Sequence, residues 1–238
     1  MSEATTDKQR IRAVFFDAGN TLIYLDFELI ASVVREAGIK TTADAVLHAE
    51  LDARRAVDEY LKNEEIDDEM VWEIYFSTMF RGVGLTDAGA VSKAKEKLRE
   101  QDSFTSLWRC VPEESYETLR RLKEQGYKLG IISNADGRLH SLLKNTGLDK
   151  MLNFAIDSKL VGYEKPDPKI FKLALEFSGE TAEACVHVGD IVSADVEGAR
   201  GVGIQPVLID PTRTKNPGCP VIHSISEIIA LVEELNNR

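Results

Sequence analysis

Four polar residues stand where apolar runs end. Ala13-Val14-Phe15-Phe16 runs into Asp17, and Leu129-Gly130-Ile131-Ile132 runs into Ser133. Val186-His187-Val188-Gly189 runs into Asp190, with Asp195 five residues on, and Lys165 stands in Gly162-Tyr163-Glu164-Lys165-Pro166. If these are the ends of adjacent parallel strands, they meet at one sheet edge, where open α/β sheets bind ligands. The set is then two or three carboxylates, a hydroxyl and an ammonium, which suits phosphate chemistry. A carboxylate can serve as a nucleophile, but charge repulsion keeps it from a phosphate dianion. A divalent cation shared between the two removes that penalty. Mg²⁺ takes oxygen ligands and needs only one or two carboxylates beside water, which Asp17 and Asp190 can supply. Lys165 can neutralise the phosphate and orient Asp17. Ser133 and the N–H groups of the Asn134 turn, read as a helix N-terminus, can hold phosphate oxygens. Each residue alone has a plainer reading. A strand-end Asp often caps a helix, Ser-Asn is often only a turn, and a Lys before Pro is often a solvated loop residue. Asp195 reads equally well as an acid at the start of the following helix.

The elements that must position these residues follow from periodicity. Strands are expected near 12–17, 128–133, 153–157, 184–189 and 205–210, and helices near 113–125, 137–146, 168–178, 194–201 and 224–236. This alternation predicts an α/β fold with a mostly parallel sheet covered on both faces. Gly126 is placed to cap the helix before it, and Pro168 falls in a first helical turn. Residues 26–107 read differently, with few strand signals and apolar residues at helical spacing. Phe27, Ile30, Val33 and Val34 form one stripe. Val71, Trp72, Ile74, Tyr75, Met79 and Phe80 form another. The expected organisation is a core of residues 1–25 and 108–238, with an all-helical cap of residues 26–107 inserted after the first strand. Such a cap would lie over the carboxyl ends of the strands, above Asp17. The acidic run at 64–69 reads as a solvated loop or helix start.

Bulk composition narrows the partners. The chain has 238 residues, 43% apolar and 29% charged, with a formal net charge of −11. That balance disfavours nucleic-acid backbone and anionic membrane. It also means that a phosphate site needs local cations. Three widely spaced cysteines, Cys110, Cys185 and Cys219, suit a reducing, cytoplasmic setting. The first seven residues carry acids and no apolar run, unlike a secretory signal. No apolar stretch approaches the ~20 residues that cross a bilayer.

With these motifs in order, the chain resembles the haloacid dehalogenase-like (HAD) hydrolase superfamily, in the group with a helical cap of the first type. Asp17-x-Gly19-x-Thr21 resembles the first motif, Ser133-Asn134 the second, Lys165-Pro166 the third, and Gly189-Asp190 with Asp195 the fourth. The resemblance implies a Rossmann-like core and a Mg²⁺-dependent hydrolase acting on a small phosphorylated metabolite. It implies that Asp17 forms an aspartyl-phosphate and also binds the metal, with the Gly19 carbonyl and Asp190. It implies that Ser133, Asn134 and Lys165 hold the transferring group, and that Asp195 and Thr21 support them.

The chain departs from the family's phosphatases at one position. They carry a second Asp where Gly19 stands, and that Asp protonates the leaving group and later activates water. Glycine keeps the backbone carbonyl and loses the acid/base. Members that cleave C–halogen or C–P bonds also lack that Asp. The family's dehalogenases, however, need no metal and differ at the position of Asp190. They also carry an aromatic within the first motif, where this chain has Gly19-Asn20-Thr21. A phosphonatase needs a cap lysine, and nothing marks Lys40 or Lys62 as one. Three readings stand: a phosphatase for substrates with good leaving groups, a dehalogenase or phosphonatase, and a weak or inactive member that binds a phosphorylated ligand or a protein. Tyr24, Asp26 and Glu28 are nearest in sequence to a replacement acid; Asp26 is the candidate among them, and its stronger reading is as the cap of the helix beginning near Phe27. Arg54, Arg55 and Arg81 could grip an anionic tail or lie on solvated helix faces. Trp72 and Trp108 read as packing residues, and His187 as a satisfied core residue.

Overall fold

The first apolar run forms a strand buried on both faces, which only a sheet covered by helices on each side allows. The computed structural model describes residues 10–62, 67–213 and 216–237, the side chains of Asp68 and Phe104 excepted. In chain order the strands are β1 (Ala13–Phe16), β2 (Tyr24–Leu25), β3 (Trp108–Cys110), β4 (Lys128–Ser133), β5 (Phe154–Asp157), β6 (Cys185–Gly189), β7 (Gln205–Ile209) and β8 (Val221–Ile222). The helices are α1 (Phe27–Glu36), α2 (Ala43–Leu61), α3 (Asp68–Gly82), α4 (Ala88–Phe104), α5 (Glu113–Glu124), α6 (Leu139–Thr146), α7 (Ser158–Val161), α8 (Pro168–Ser178), α9 (Glu197–Gly201) and α10 (Glu227–Asn237). A π-helical turn, Val192–Val196, leads into α9.

Six strands form one sheet in the order β5-β4-β1-β6-β7-β8. Every pairing in it is parallel. The expected parallel α/β sheet is therefore present, Rossmann-like, with β8 as an additional edge strand. Its core joins Phe15, Ile132 and Ile156 of the strands to Ile170, Phe171 and Ala174 of α8. Helix starts and stops follow the chain's own signals. Asp167 caps α8 by accepting the Lys169 N–H, and Pro168 opens the helix. Gly126 stands at φ +88° just past α5, in the left-handed region where a side chain is strained.

By contacts the chain divides into two units, Met1–Leu22 with Val111–Arg238, and Ile23–Cys110. The second unit holds α1 to α4 and the antiparallel ribbon of β2 and β3. Ile30, Val33 and Val34 of α1 are buried, as are Tyr75, Phe76, Met79 and Phe80 of α3. Trp72 packs on Phe76 and Trp108 on Tyr75. Arg54 corrects one expectation. It is buried rather than solvated, and its Nε donates to Glu50 Oε1 at 2.6 Å, which also accepts from the Tyr75 hydroxyl. Arg55 pairs with Asp52 on the surface, and Arg81 is exposed. Residues 64–66 of the acidic run, like the first nine residues of the chain, lie outside the described residues. Asp67, next in that run, caps α3. Among the described residues no helix is long and apolar enough to cross a membrane.

Candidate active site

The pairing of β1 with β4 on one side and β6 on the other places three expected residues together. Asp17 follows β1, Ser133 ends β4, and Asp190 follows β6. All three are buried. Asp17 is fixed from its backbone, whose N–H donates to the Val188 carbonyl at 2.8 Å. The chain then turns through Asn20, at φ +56°, a left-handed conformation that Asn tolerates better than most residues. Gly19 is half-buried in this turn. Thr21 is fully buried, and its hydroxyl has no hydrogen-bond partner among the described residues.

Lys165 corrects the expectation that it ends a strand. The residue ending β5 is Asp157, and Lys165 lies eight positions later in the loop before α8. It reaches the site because the Asn134 side chain grips its backbone. Lys165 N–H donates to Asn134 Oδ1 at 2.7 Å, and Asn134 Nδ2 donates to the Lys165 carbonyl at 3.0 Å. The Lys165–Pro166 peptide is cis. The buried Lys165 ammonium then donates to Asp17 Oδ1 at 2.5 Å and to Asp195 Oδ1 at 2.7 Å.

A second correction concerns the loop after Ser133. Helix α6 begins at Leu139, not at the Asn134 turn. The N–H of Leu139, its first residue, goes to Asp157 Oδ2 at 3.1 Å, and just before the helix the Gly137 N–H goes to Asp157 Oδ1 at 3.1 Å. Ser158 Oγ accepts the Ala135 N–H at 3.0 Å. A buried carboxylate, not a bound anion, thus takes the first N–H of this helix. Asp157 was visible in the sequence through the same signal as Asp17, an apolar run ending in an acid. Ser158 had no such mark.

Asp195 approaches the sheet closely. A Cβ on Gly189 would stand 2.1 Å from Asp195 Cγ, so only glycine admits the carboxylate here. The wide π-helical turn also lets Asp195 Oδ2 accept the Ile191 N–H at 3.1 Å. Asp195 is thus both a helix-start acceptor and a partner of Lys165. His187, fully buried on β6, also reaches Asp195, with Nε2 at 2.9 Å from Oδ1.

The electrostatics follow from burial. Desolvation raises Asp17 to about 6 against the pull of Lys165, with the Asp195 charge adding to the rise. Burial opposes the charge on Lys165, yet Asp17 and Asp195 hold its pKa above the usual lysine value. Burial likewise opposes the charge on Asp195, but Lys165 and His187 hold it well below the usual carboxylate range. Burial keeps His187 below its ordinary value. Lys165 and Asp195 are therefore the charged pair, and of Asp17 and Asp195 it is Asp17 that yields first in acid.

Three buried carboxylates, Asp17, Asp190 and Asp195, lie at this edge with the Lys165 ammonium. Buried carboxylates with all-oxygen donors fit a divalent cation of the Mg²⁺ type. No three His, Cys, Asp or Glu side chains converge as a metal site among the described residues. A cation here would take Asp17, Asp190, the Gly19 carbonyl and water.

Asp26 has partners of its own within the second unit. Its Oδ1 caps α1 through the Leu29 N–H at 2.9 Å, and its Oδ2 takes Arg109 Nη2 at 2.6 Å and Nε at 3.0 Å. Partial burial would raise its pKa, but the Leu29 and Arg109 bonds lower it.

Comparison with known proteins identifies the family. A family model described as haloacid dehalogenase-like hydrolase matches residues 11–203. The haloacid dehalogenase-like hydrolase domain-containing protein 3 of Bos taurus is 30% identical over 207 residues, covering 84% of this chain and 82% of its own. A glyceraldehyde 3-phosphate phosphatase of Pyrococcus furiosus is 29% identical over 211 residues, covering 84% and 80%. The magnesium-bound HAD-hydrolase YfnB of Bacillus subtilis superposes with a TM-score of 0.67 at 20% identity, covering 94% of this chain and 99% of its own, which speaks to the fold. A strand-end carboxylate, the lysine that grips it and the matched family model together make this chain a member of the haloacid dehalogenase-like hydrolases.

Proposed function

We propose that this chain is a Mg²⁺-dependent phosphatase acting on a small phosphorylated metabolite through an aspartyl-phosphate at Asp17. The observation that carries the reading is the buried Asp17 carboxylate, pinned at 2.5 Å by Lys165 among other buried carboxylates. The Pyrococcus furiosus phosphatase supports it from outside the structure. Bound Mg²⁺ would neutralise charge between the carboxylates and the phosphate. Lys165 fixes the rotation of Asp17 and offers its remaining N–H to a phosphate oxygen. An Asp17 oxygen attacks phosphorus, a new O–P bond forms, and the bond to the leaving oxygen breaks with its electron pair going to that oxygen. Water then attacks the aspartyl-phosphate, releasing phosphate and restoring the carboxylate. Ser133 and the Asn134 N–H would hold phosphate oxygens, while the Asn134 side chain serves Lys165.

Gly19 supplies no proton to the leaving group, and Asp26 is committed elsewhere. The reading therefore favours substrates whose leaving oxygen needs no proton, such as acyl or aryl phosphates. The free cysteines, with Cys185 buried and Cys219 half-buried, fit a reducing compartment, and the cytosol is the proposed location.

The test is a release assay on phosphate esters, acyl phosphates and haloacids, with Mg²⁺ and with chelator. Phosphate release that needs Mg²⁺ and vanishes in Asp17→Asn is expected. Halide release without metal sinks the reading, and no turnover of anything points to a binding protein. Gly19→Asp should raise turnover of alkyl phosphates far more than that of aryl phosphates, by up to ~10²–10⁴-fold. An equal effect on both argues against a missing acid/base.

A further inference from the structure

We infer that His187 is a positioning residue for the hydrolytic site, holding Asp195 so that Lys165 is set against Asp17. The inference rests on the reading of Asp17 and Lys165 given above. It begins from an oddity of packing. His187 is fully buried in β6, between Val186 and Val188, with its ring edge-on to Phe171 at 5.2 Å. Its Nδ1 is buried without a hydrogen-bond partner among the described residues. A leucine or phenylalanine would fill this place and leave no lone pair unmet, so packing alone does not call for histidine.

The other ring nitrogen supplies the reason. Nε2 lies 2.9 Å from Asp195 Oδ1, the same oxygen that accepts from Lys165 at 2.7 Å. Asp195 is ionised, since Lys165 and His187 hold its pKa well down. An ionised carboxylate only accepts, so the proton of this bond belongs to His187 Nε2. Asp195 is then held at both oxygens, by Ile191 N–H at Oδ2 and by the imidazole at Oδ1.

This hold matters because Lys165 is shared. Its ammonium divides between Asp17 and Asp195. A donor on Asp195 Oδ1 takes up part of that carboxylate's charge and fixes where it stands. Without the donor, Asp195 has only Lys165 to balance Oδ1, and it draws the ammonium from Asp17. The loss would fall on the chemical step rather than on substrate binding.

The experiment crosses two substitutions in the full chain, assayed with Mg²⁺ on an aryl phosphate. His187→Gln can place an N–H near the Nε2 position, whereas His187→Phe keeps the ring and its contact with Phe171 but cannot donate. Expected is a kcat loss of about ten- to a hundredfold in the Phe variant with KM little changed, and substantial recovery in the Gln variant. A Phe variant with wild-type kcat, or equal losses in both, overturns the inference. Nitrogen-15 spectra of the wild-type protein read the same bond without a variant, because the buried His187 ring is told apart from the other histidines by its lack of response to pH. A neutral Nε2–H tautomer with its ring proton shifted downfield is expected, and an Nδ1–H tautomer overturns the inference. Asp17→Asn separates the two claims, because retained turnover there removes the nucleophile reading while the spectra still report on His187.

Discussion

Desolvation raises Asp17 to about 6, so ionising it costs the folded state free energy. Above about 6 the carboxyl is ionised folded and unfolded, and that cost is present in full. Below the unfolded value of about 3.9 it is protonated in both states and the cost is gone. In the metal-free protein, Asp17→Asn should therefore be more stable than wild type at pH 8, by about 1–3 kcal/mol. The gap should close as pH falls from about 6 towards 4, in thermal melts across that range. A gap that widens in acid would show that Asp17 is instead stabilised as an ion. Gly189 carries a second residue-scale prediction. Gly189→Ala sets a methyl within 2.1 Å of Asp195 Cγ and should cost about 1–3 kcal/mol in denaturant melts, with turnover lost alongside. At this scale the sequence showed Asp17, Ser133 and Asp190 plainly, because each ends an apolar run. It hid the Asn134 grip on Lys165, a contact across 31 positions. His187 looked like core for the same reason, since a strand's alternation says nothing of what lies beyond its neighbours.

Five of the six strands of the sheet lie within a residue or two of where periodicity put them, since buried parallel strands read as unbroken apolar runs. Strands of two or three residues such as β2, β3 and β8 are too short for any pattern to register. The helix expected at 194–201 starts earlier, as a π-helical turn at Val192, where Asp195 must reach both Ile191 and Lys165. The helix expected from 137 starts at Leu139, because Asp157 claims the turn before it. Asp26 tests the element scale. Asp26→Ala removes both the cap of α1 and the Arg109 pair, and should cost about 1–2 kcal/mol. Asp26→Asn keeps the cap and should cost less. Neither should alter the shape of the pH–rate profile. A lost acidic or basic limb in Asp26→Asn would restore Asp26 as the missing proton donor.

For the whole molecule, the net charge of −11 and the buried carboxylates act in the same direction, making a divalent cation stabilising. A ligand that binds only the folded state adds about 2.7 kcal/mol at one hundred times its Kd. Mg²⁺ should thus raise the Tm of wild type clearly and that of an Asp17→Asn, Asp190→Asn double variant little, while Na⁺ at equal ionic strength should not reproduce the gain. Equal shifts in both proteins would place the cation elsewhere. The ribbon of β2 and β3 has a consequence of another kind. Tyr24 pairs with Cys110 and Leu25 with Trp108, so the chain departs from the sheet-bearing unit and returns to it through neighbouring strands. The 88 residues from Ile23 to Cys110 form a cassette with adjacent ends. A shorter or foreign cassette can be spliced between Leu22 and Val111 without rethreading the sheet, so one hydrolytic scaffold can accept a library of interchangeable inserts.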